Sequence, residues 1–282
     1  MQRDLPGRQN PASVPADVHE HCEVSVAEIA GRPVRTLTPR SRRTGVHVVH
    51  LHGGAYVYSA QEAHWRTLAR LAGASGAIVH APLYGLAPGA TVDDALPFLD
   101  AVMSAVREAE GCSRVFLSGD SAGGGLAMAQ ALRMRDLRQR PVDGILLFSP
   151  WVDVALDNPE IARLERRDPM LSRRMLVQAG RWWAGEHDTG DPLVSPLRGD
   201  LTGLPPVATY IGGRDILLAD ARELDRRIRA AGGESTLREW ASGFHVFMAA
   251  LSTQEARAVI ADAASLLRAS AGAVQSASTG TG

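Results

Sequence analysis

Lysine is absent from this chain: all 30 basic residues are arginine, which reflects coding bias rather than a device for binding anions. They are balanced by 31 acidic residues to a formal charge of -1, so charge gives no reason to expect a nucleic-acid partner. Arginine pairs such as Arg42-Arg43, Arg166-Arg167 and Arg173-Arg174 read as solvated faces. Cysteine is scarce as well. Cys22 and Cys112 are too few and too far apart for a disulfide framework or a thiolate metal site, and they fit a reducing cytoplasm, the expected location. Long apolar runs are also missing. The first twenty residues are polar and proline-rich without a signal-type apolar core, and nothing approaches the ~20 apolar residues a bilayer span needs. Secretion and membrane insertion are both unexpected.

What is present suits one enzyme-sized domain: 282 residues, 45% hydrophobic and 22% charged. CEVSVAEIA and RPVRTLTP alternate around Gly31, the pattern of an antiparallel hairpin at a sheet edge. The runs at 46–51, 77–82, 114–119, 144–150 and 206–212 are short and nearly all apolar, and the last four end in Gly or Pro, as parallel strands covered on both faces do. Helical spacing lies between or after them at Glu62 to Ala72, Val92 to Glu108, Gly124 to Arg138, Ala219 to Ala231 and Gln254 to Arg268. This alternation predicts an α/β fold, a mostly parallel, doubly wound sheet with an antiparallel N-terminal edge, whose ligands sit beyond the carboxyl ends of the strands. Residues 151–196 break the alternation and read as a small helical cap, joined by an N-terminal cap segment at 1–20; the main domain spans 21–270, and 271–282 is expected to lack structure.

The sharpest local signal is GDSAGG at Gly119 to Gly124, a G-x-S-x-G turn between an apolar strand and a helix-forming segment. Such a turn lifts Ser121 above the sheet edge at a helix N-terminus, where developing negative charge is favoured. Gly119 and Gly123 remove side chains that would strike the neighbouring strand and helix. Alone, the pentapeptide also fits a plain glycine turn with a capping serine. HGGAY, at His52 to Tyr56, narrows the choice, because it follows the first buried strand where oxyanion donors are supplied. The expected donors are the backbone amides of Gly54, Ala55 and Ala122, with Gly53 as a further candidate.

In this order of elements an acid and then a base follow the serine. Asp215 ends PVATYIGGRD, and His245 follows the last short strand in STLREWASGFHVF. An imidazole at His245 suits a general base near neutrality, and a carboxylate on its other nitrogen would select the tautomer. Asp220 and Glu239 compete for that place, but the first falls in the next helix and the second in the preceding strand. His47, His50 and His52 invite a metal reading; strand alternation separates His47 from the other two, so no metal is expected. Tyr56, Trp151, Trp182 and Trp183 are candidate walls of a substrate pocket, with cap core as their equal alternative.

With these residues assembled, the chain resembles the bacterial hormone-sensitive-lipase-like esterases, a branch of the α/β-hydrolases. HGGAY, YGLAP (Tyr84 to Pro88), GDSAGG, DPLVSPL (Asp191 to Leu197) and the Asp215 and His245 loops stand in that family's order. The resemblance implies Ser121, Asp215 and His245 as a triad, an oxyanion hole at the HGGAY loop and Ala122, and a cap over the site. It implies a small-molecule ester or lactone substrate, cleaved through an acyl-enzyme without any cofactor. Relatives of this kind often pair through an edge strand, so a homodimer is an expectation. Two departures stand out: Ala55 takes the place of a third loop glycine, and Gly85 and Gly89 replace charged residues. Acyl transfer or lactone chemistry on the same fold, a metal-dependent hydrolase and a non-catalytic receptor are the competing classes.

Overall fold

A computed structural model describes residues 9–278. Eight strands form one sheet: β1 (Cys22–Ile29), β2 (Arg32–Pro39), β3 (Val46–Leu51), β4 (Ile78–Pro82), β5 (Arg114–Asp120), β6 (Gly144–Phe148), β7 (Val207–Gly212) and β8 (Ser235–Trp240). Their spatial order is β1-β2-β4-β3-β5-β6-β7-β8. β1 and β2 pair antiparallel from Cys22 opposite Pro39 to Ile29 opposite Arg32, β2 pairs antiparallel with β4, and every pair from β4 to β8 is parallel. The hairpin therefore lies at the edge, as its alternation predicts. β3, β6 and β7 are buried at every position, whereas the outer strands β1 and β8 are largely accessible. That contrast is what continuous against alternating apolar sequence demands.

Helices cover both faces. On one side α1 (Ala16–His21), α2 (Glu62–Ser75) and α8 (Gln254–Ser278) bury Val18, Trp65, Leu68, Leu71, Val259 and Leu267 against the sheet. On the other, α3 (Val92–Glu108), α4 (Ala122–Asp136) and α7 (Leu218–Ala230) contribute Leu96, Leu99, Leu126, Met128, Leu224 and Ile228. Residues 151–196 carry α5 (Ile161–Glu165) and α6 (Arg173–Ala184), and α6 packs Leu176, Ala179 and Trp183 onto the second layer. The three arginine pairs are exposed, as expected of solvated faces.

Two differences from the sequence reading concern the ends. α8 runs through Ser278, ten positions past Arg268 and into the stretch 271–282 expected to lack structure. Extending a formed helix adds one hydrogen bond per residue fixed, and this segment is rich in alanine, the best helix former. Residues 279–282 lie outside the described residues. At the other end, Ala12 is held by its amide to the Ala60 carbonyl, and its own carbonyl accepts from Trp65 Nε1 at 3.0 Å and Arg35 Nη1 at 2.8 Å. These bonds keep residues 9–20 against β2 and α2, and none of them lines the cavity described below. Residues 1–8 of the expected cap segment lie outside the described residues.

Candidate active site

Ser121 stands between β5 and α4 with φ 51° and ψ -122°, a left-handed conformation costly for a residue with a side chain. Its amide is fixed to the Phe148 carbonyl at 2.9 Å, and the Trp151 amide donates to its carbonyl at 2.8 Å. The glycines around it are needed for contact: a Cβ on Gly123 would lie 1.9 Å from the Leu51 carbonyl oxygen, and one on Gly119 2.2 Å from that of Gly123.

Asp215, just past β7, and His245, just past β8, reach the same place. His245 Nε2 is 3.0 Å from Ser121 Oγ, and His245 Nδ1 is 2.9 Å from Asp215 Oδ2. A carboxylate accepts only, so Nδ1 carries the proton and the Nε2 lone pair faces the hydroxyl. The second oxygen of Asp215 accepts the Leu217 amide at 3.0 Å. Burial lowers the pKa of His245, but the charge and hydrogen bond of Asp215, with Asp168 and Asp120 further off, outweigh it and raise the pKa above that of a free histidine. The His245 loop is pinned where the Val246 amide donates to Ser149 Oγ at 3.0 Å. The competing carboxylates are elsewhere: Glu239 pairs with Arg222, and Asp220 is buried in α7 near Asp153 and Asn158.

Facing Ser121 is the HGGAY loop. Gly54 has φ 117°, and a Cβ there would lie 2.3 Å from the Tyr58 carbonyl oxygen, so only glycine fits. The amides of Gly54, Ala55 and Ala122 meet no acceptor among the described residues. Gly53 is a correction to the expected donor set. Its amide donates to Asp120 Oδ1 at 3.0 Å and is not available to a substrate. The cause is the buried Asp120 carboxylate, which needs donors: Oδ1 also faces His50 Nε2 at 3.2 Å, and Oδ2 faces His64 Nε2 at 3.4 Å. Burial pushes this carboxyl up, but His64 and His50 more than compensate and hold it well below the usual carboxylate range.

The two histidines of β3 and His52, just after it, are each engaged separately. His47 pairs with His80 at 2.9 Å, His50 with Ser118 at 3.0 Å as well as Asp120, and His52 Nδ1 with the Gly53 carbonyl at 2.7 Å. Burial takes the pKa of His52 down to about 4, so its ring is neutral and serves the loop as a donor. Among the described residues no three His, Cys, Asp or Glu side chains are placed to hold a metal ion.

A cavity of about 450 Å³ opens over Ser121, His245, Gly54 and Ala55. Met170, Leu171, Met175 and Leu176, from the segment 151–196, wall it on one side, and Tyr58, Phe148, Phe244 and Met248 also line it. None of Tyr56, Trp151, Trp182 and Trp183 lines it, which corrects the expected pocket. Tyr56 stacks on Trp183 with ring centroids 4.2 Å apart and planes at 2°, Trp151 tilts against Tyr56 at 5.5 Å, and Trp182 packs half-buried on the same cluster. These large rings gain most by burial under the cap. The true wall has a weaker signal in sequence: Met175 and Leu176 stand in the first turn of α6 with Leu171 just before it, and aliphatic residues there look like core.

This sheet, its glycine-framed serine turn and its two late loops define an α/β-hydrolase. The chain belongs to that family, whose model, described as an alpha/beta hydrolase fold, matches residues 48–249. Its structural neighbours include esterases of the hormone-sensitive lipase family. It is 35% identical to an acetyl-hydrolase of Streptomyces hygroscopicus over 213 residues, 73% of this chain and 70% of that one. It superposes on an esterase of the bacterial hormone-sensitive lipase family with TM-score 0.84 and 29% identity, covering 91% of this chain and 86% of that one. A hormone-sensitive lipase from a metagenome library matches with TM-score 0.84, 26% identity and coverage of 96% and 91%. No helix among the described residues is long and apolar enough to cross a membrane.

Proposed function

We propose that this chain hydrolyses carboxylic esters of short to medium acyl chain length through an acyl-enzyme on Ser121. The observation that carries the reading is the relay from Asp215 through His245 to Ser121, at 2.9 and 3.0 Å, beside unengaged loop amides. His245 takes the Ser121 proton as Oγ attacks the ester carbonyl, and Asp215 stabilises the imidazolium that forms. The amides of Gly54, Ala55 and Ala122 receive the oxyanion, each such donor contributing about 10²–10³ in rate. His245 then passes its proton to the departing alkoxide. Water, activated by the same imidazole, releases the acid.

The segment 151–196 acts as the cap, and its apolar wall receives the acyl chain. Small esters enter directly; a lactone is accommodated by the same carbonyl geometry. The working compartment is the cytoplasm, in keeping with two free cysteines, and a second copy pairs along the outer strand β8. The test is a p-nitrophenyl acyl series with wild type and Ser121→Ala. Turnover confined to wild type supports the reading. Equal turnover by both proteins removes it.

A further inference from the structure

We propose that Asp168, in the cap, is a positioning residue for this ester cleavage, tying the wall of the acyl pocket to the loop that carries the acid. The proposal rests on the reading of Ser121, His245 and Asp215 as a triad.

Asp168 lies between α5 and α6, half-buried. Its two oxygens serve different parts of the molecule. Oδ1 accepts the amides of Met170 at 2.8 Å and Leu171 at 3.0 Å, closing the turn that presents both residues to the cavity. Oδ2 accepts the amide of Ile216 at 2.8 Å, and Ile216 is the fully buried neighbour of Asp215. A second thread runs alongside, from Arg214 Nε to the Arg167 carbonyl at 3.4 Å. The cap therefore grips the acid loop on both sides of Asp215.

A turn alone would need one acceptor, which asparagine or serine supplies. Three amides arriving from two directions need a group that accepts at both oxygens, and only a carboxylate does that. An asparagine would keep one side and turn an NH₂ toward the other. The charge matters as well. Asp215, Asp168 and Asp120 are the carboxylates that act on His245, all three favouring the imidazolium.

Two consequences separate this role from that of an ordinary turn. Substrates whose acyl chain presses on Met170 and Leu171 should depend on the link more than acetyl esters, whose chain is the shortest. Removing the charge also lets His245 lose its proton at lower pH.

The experiment measures kcat and KM for p-nitrophenyl acetate, butyrate and octanoate across pH 5 to 9, with a melting curve for each variant. Asp168→Asn is expected to lose about tenfold in octanoate kcat/KM, the scale of one hydrogen bond to a charged group, with a much smaller loss on acetate. Its acid limb on acetate should move to lower pH. Ile216→Pro deletes the donor and leaves the charge, so it should reproduce the chain-length effect with the limb unmoved; it also decides the matter if Asp168→Asn does not fold. Proportionate losses on all three esters, or none, in a folded variant with an unmoved limb would overturn the proposal. Loss of the triad reading would show separately, as activity surviving in Ser121→Ala.

Discussion

Asp120 Oδ1 and the Gly53 amide meet at 3.0 Å, so the residue before Ser121 holds the loop that faces it. The same carboxylate is gripped from behind by His50 and His64, and the His64 ring is fixed in turn by the Gln61 amide at 2.9 Å on Nδ1. The capping turn of α2 is thereby connected to the loop whose amides are proposed to receive the oxyanion. Asp120→Asn keeps the shape but turns a donor toward groups that themselves donate. It should lower kcat about 10- to 100-fold with KM nearly unchanged, part of the cost of losing one oxyanion donor. Affinity for a trifluoromethyl ketone, whose bound form is an oxyanion, should fall by the same factor; unchanged affinity would detach Asp120 from the oxyanion site.

The pH profile follows from His245. Activity needs the neutral imidazole, and the neighbouring carboxylates raise its pKa, so kcat/KM should be half-maximal above pH 6.5 and fall on the acid side. Asp215→Asn removes the largest favourable partner, shifts that limb to lower pH and costs about 10⁴ in kcat through loss of the correct tautomer. Stopped-flow rates on an activated ester from pH 5 to 9 measure both. A limb that stays in place in the variant would mean that another group titrates.

The mostly parallel sheet with its antiparallel edge, and the serine, acid and histidine that the fold brings within hydrogen-bond reach, were legible because each carries its own chemistry in sequence: apolar runs, a glycine-framed serine, an acid and a histidine in the right succession. The cavity wall was not. Trp182 and Trp183 are the most conspicuous cap residues, yet their area is better buried, while Met175 shows nothing distinctive until α6 is placed above Ser121. Gly53 departs from its expected role for a related reason. Its amide looks free in sequence, and only the fold brings Asp120 beneath it. The end of α8 was missed because composition understates how readily an established helix continues through alanine.

Removing the Trp183 ring should therefore damage the fold rather than substrate choice. Trp183→Ala leaves a cavity beside Tyr56 and should cost about 3–5 kcal/mol of stability. Met175→Ala should leave the melting temperature within a few degrees and raise KM for octanoate relative to acetate. Calorimetry and a chain-length series test the pair together; a selective octanoate effect in Trp183→Ala with normal melting would restore the aromatic wall.

Asp220 supplies a pH dependence of stability unrelated to catalysis. Burial, then the charge of Asp153, pushes its carboxyl up to about 7 from an ordinary 3.8, and its Oδ2 has no hydrogen-bond partner among the described residues. The folded state binds this proton more tightly than the unfolded chain, so the stabilisation is complete below about pH 4 and is lost as pH rises to about 7. Asp220→Asn cannot ionise. It should be more stable than wild type by about 1–3 kcal/mol at pH 8, with the gap closing toward pH 4. Urea melts at those two values decide it, and a gap that widens toward acid would reverse the assignment.

The nucleophile can be read directly by reacting the protein with a p-nitrophenyl alkylphosphonate, counting the nitrophenol released and mapping the adduct by mass spectrometry. One equivalent per chain, bonded to Ser121 and absent from Ser121→Ala, is the result required here. An adduct on another residue, or undiminished ester turnover after Ser121 is fully phosphonylated, would contradict it.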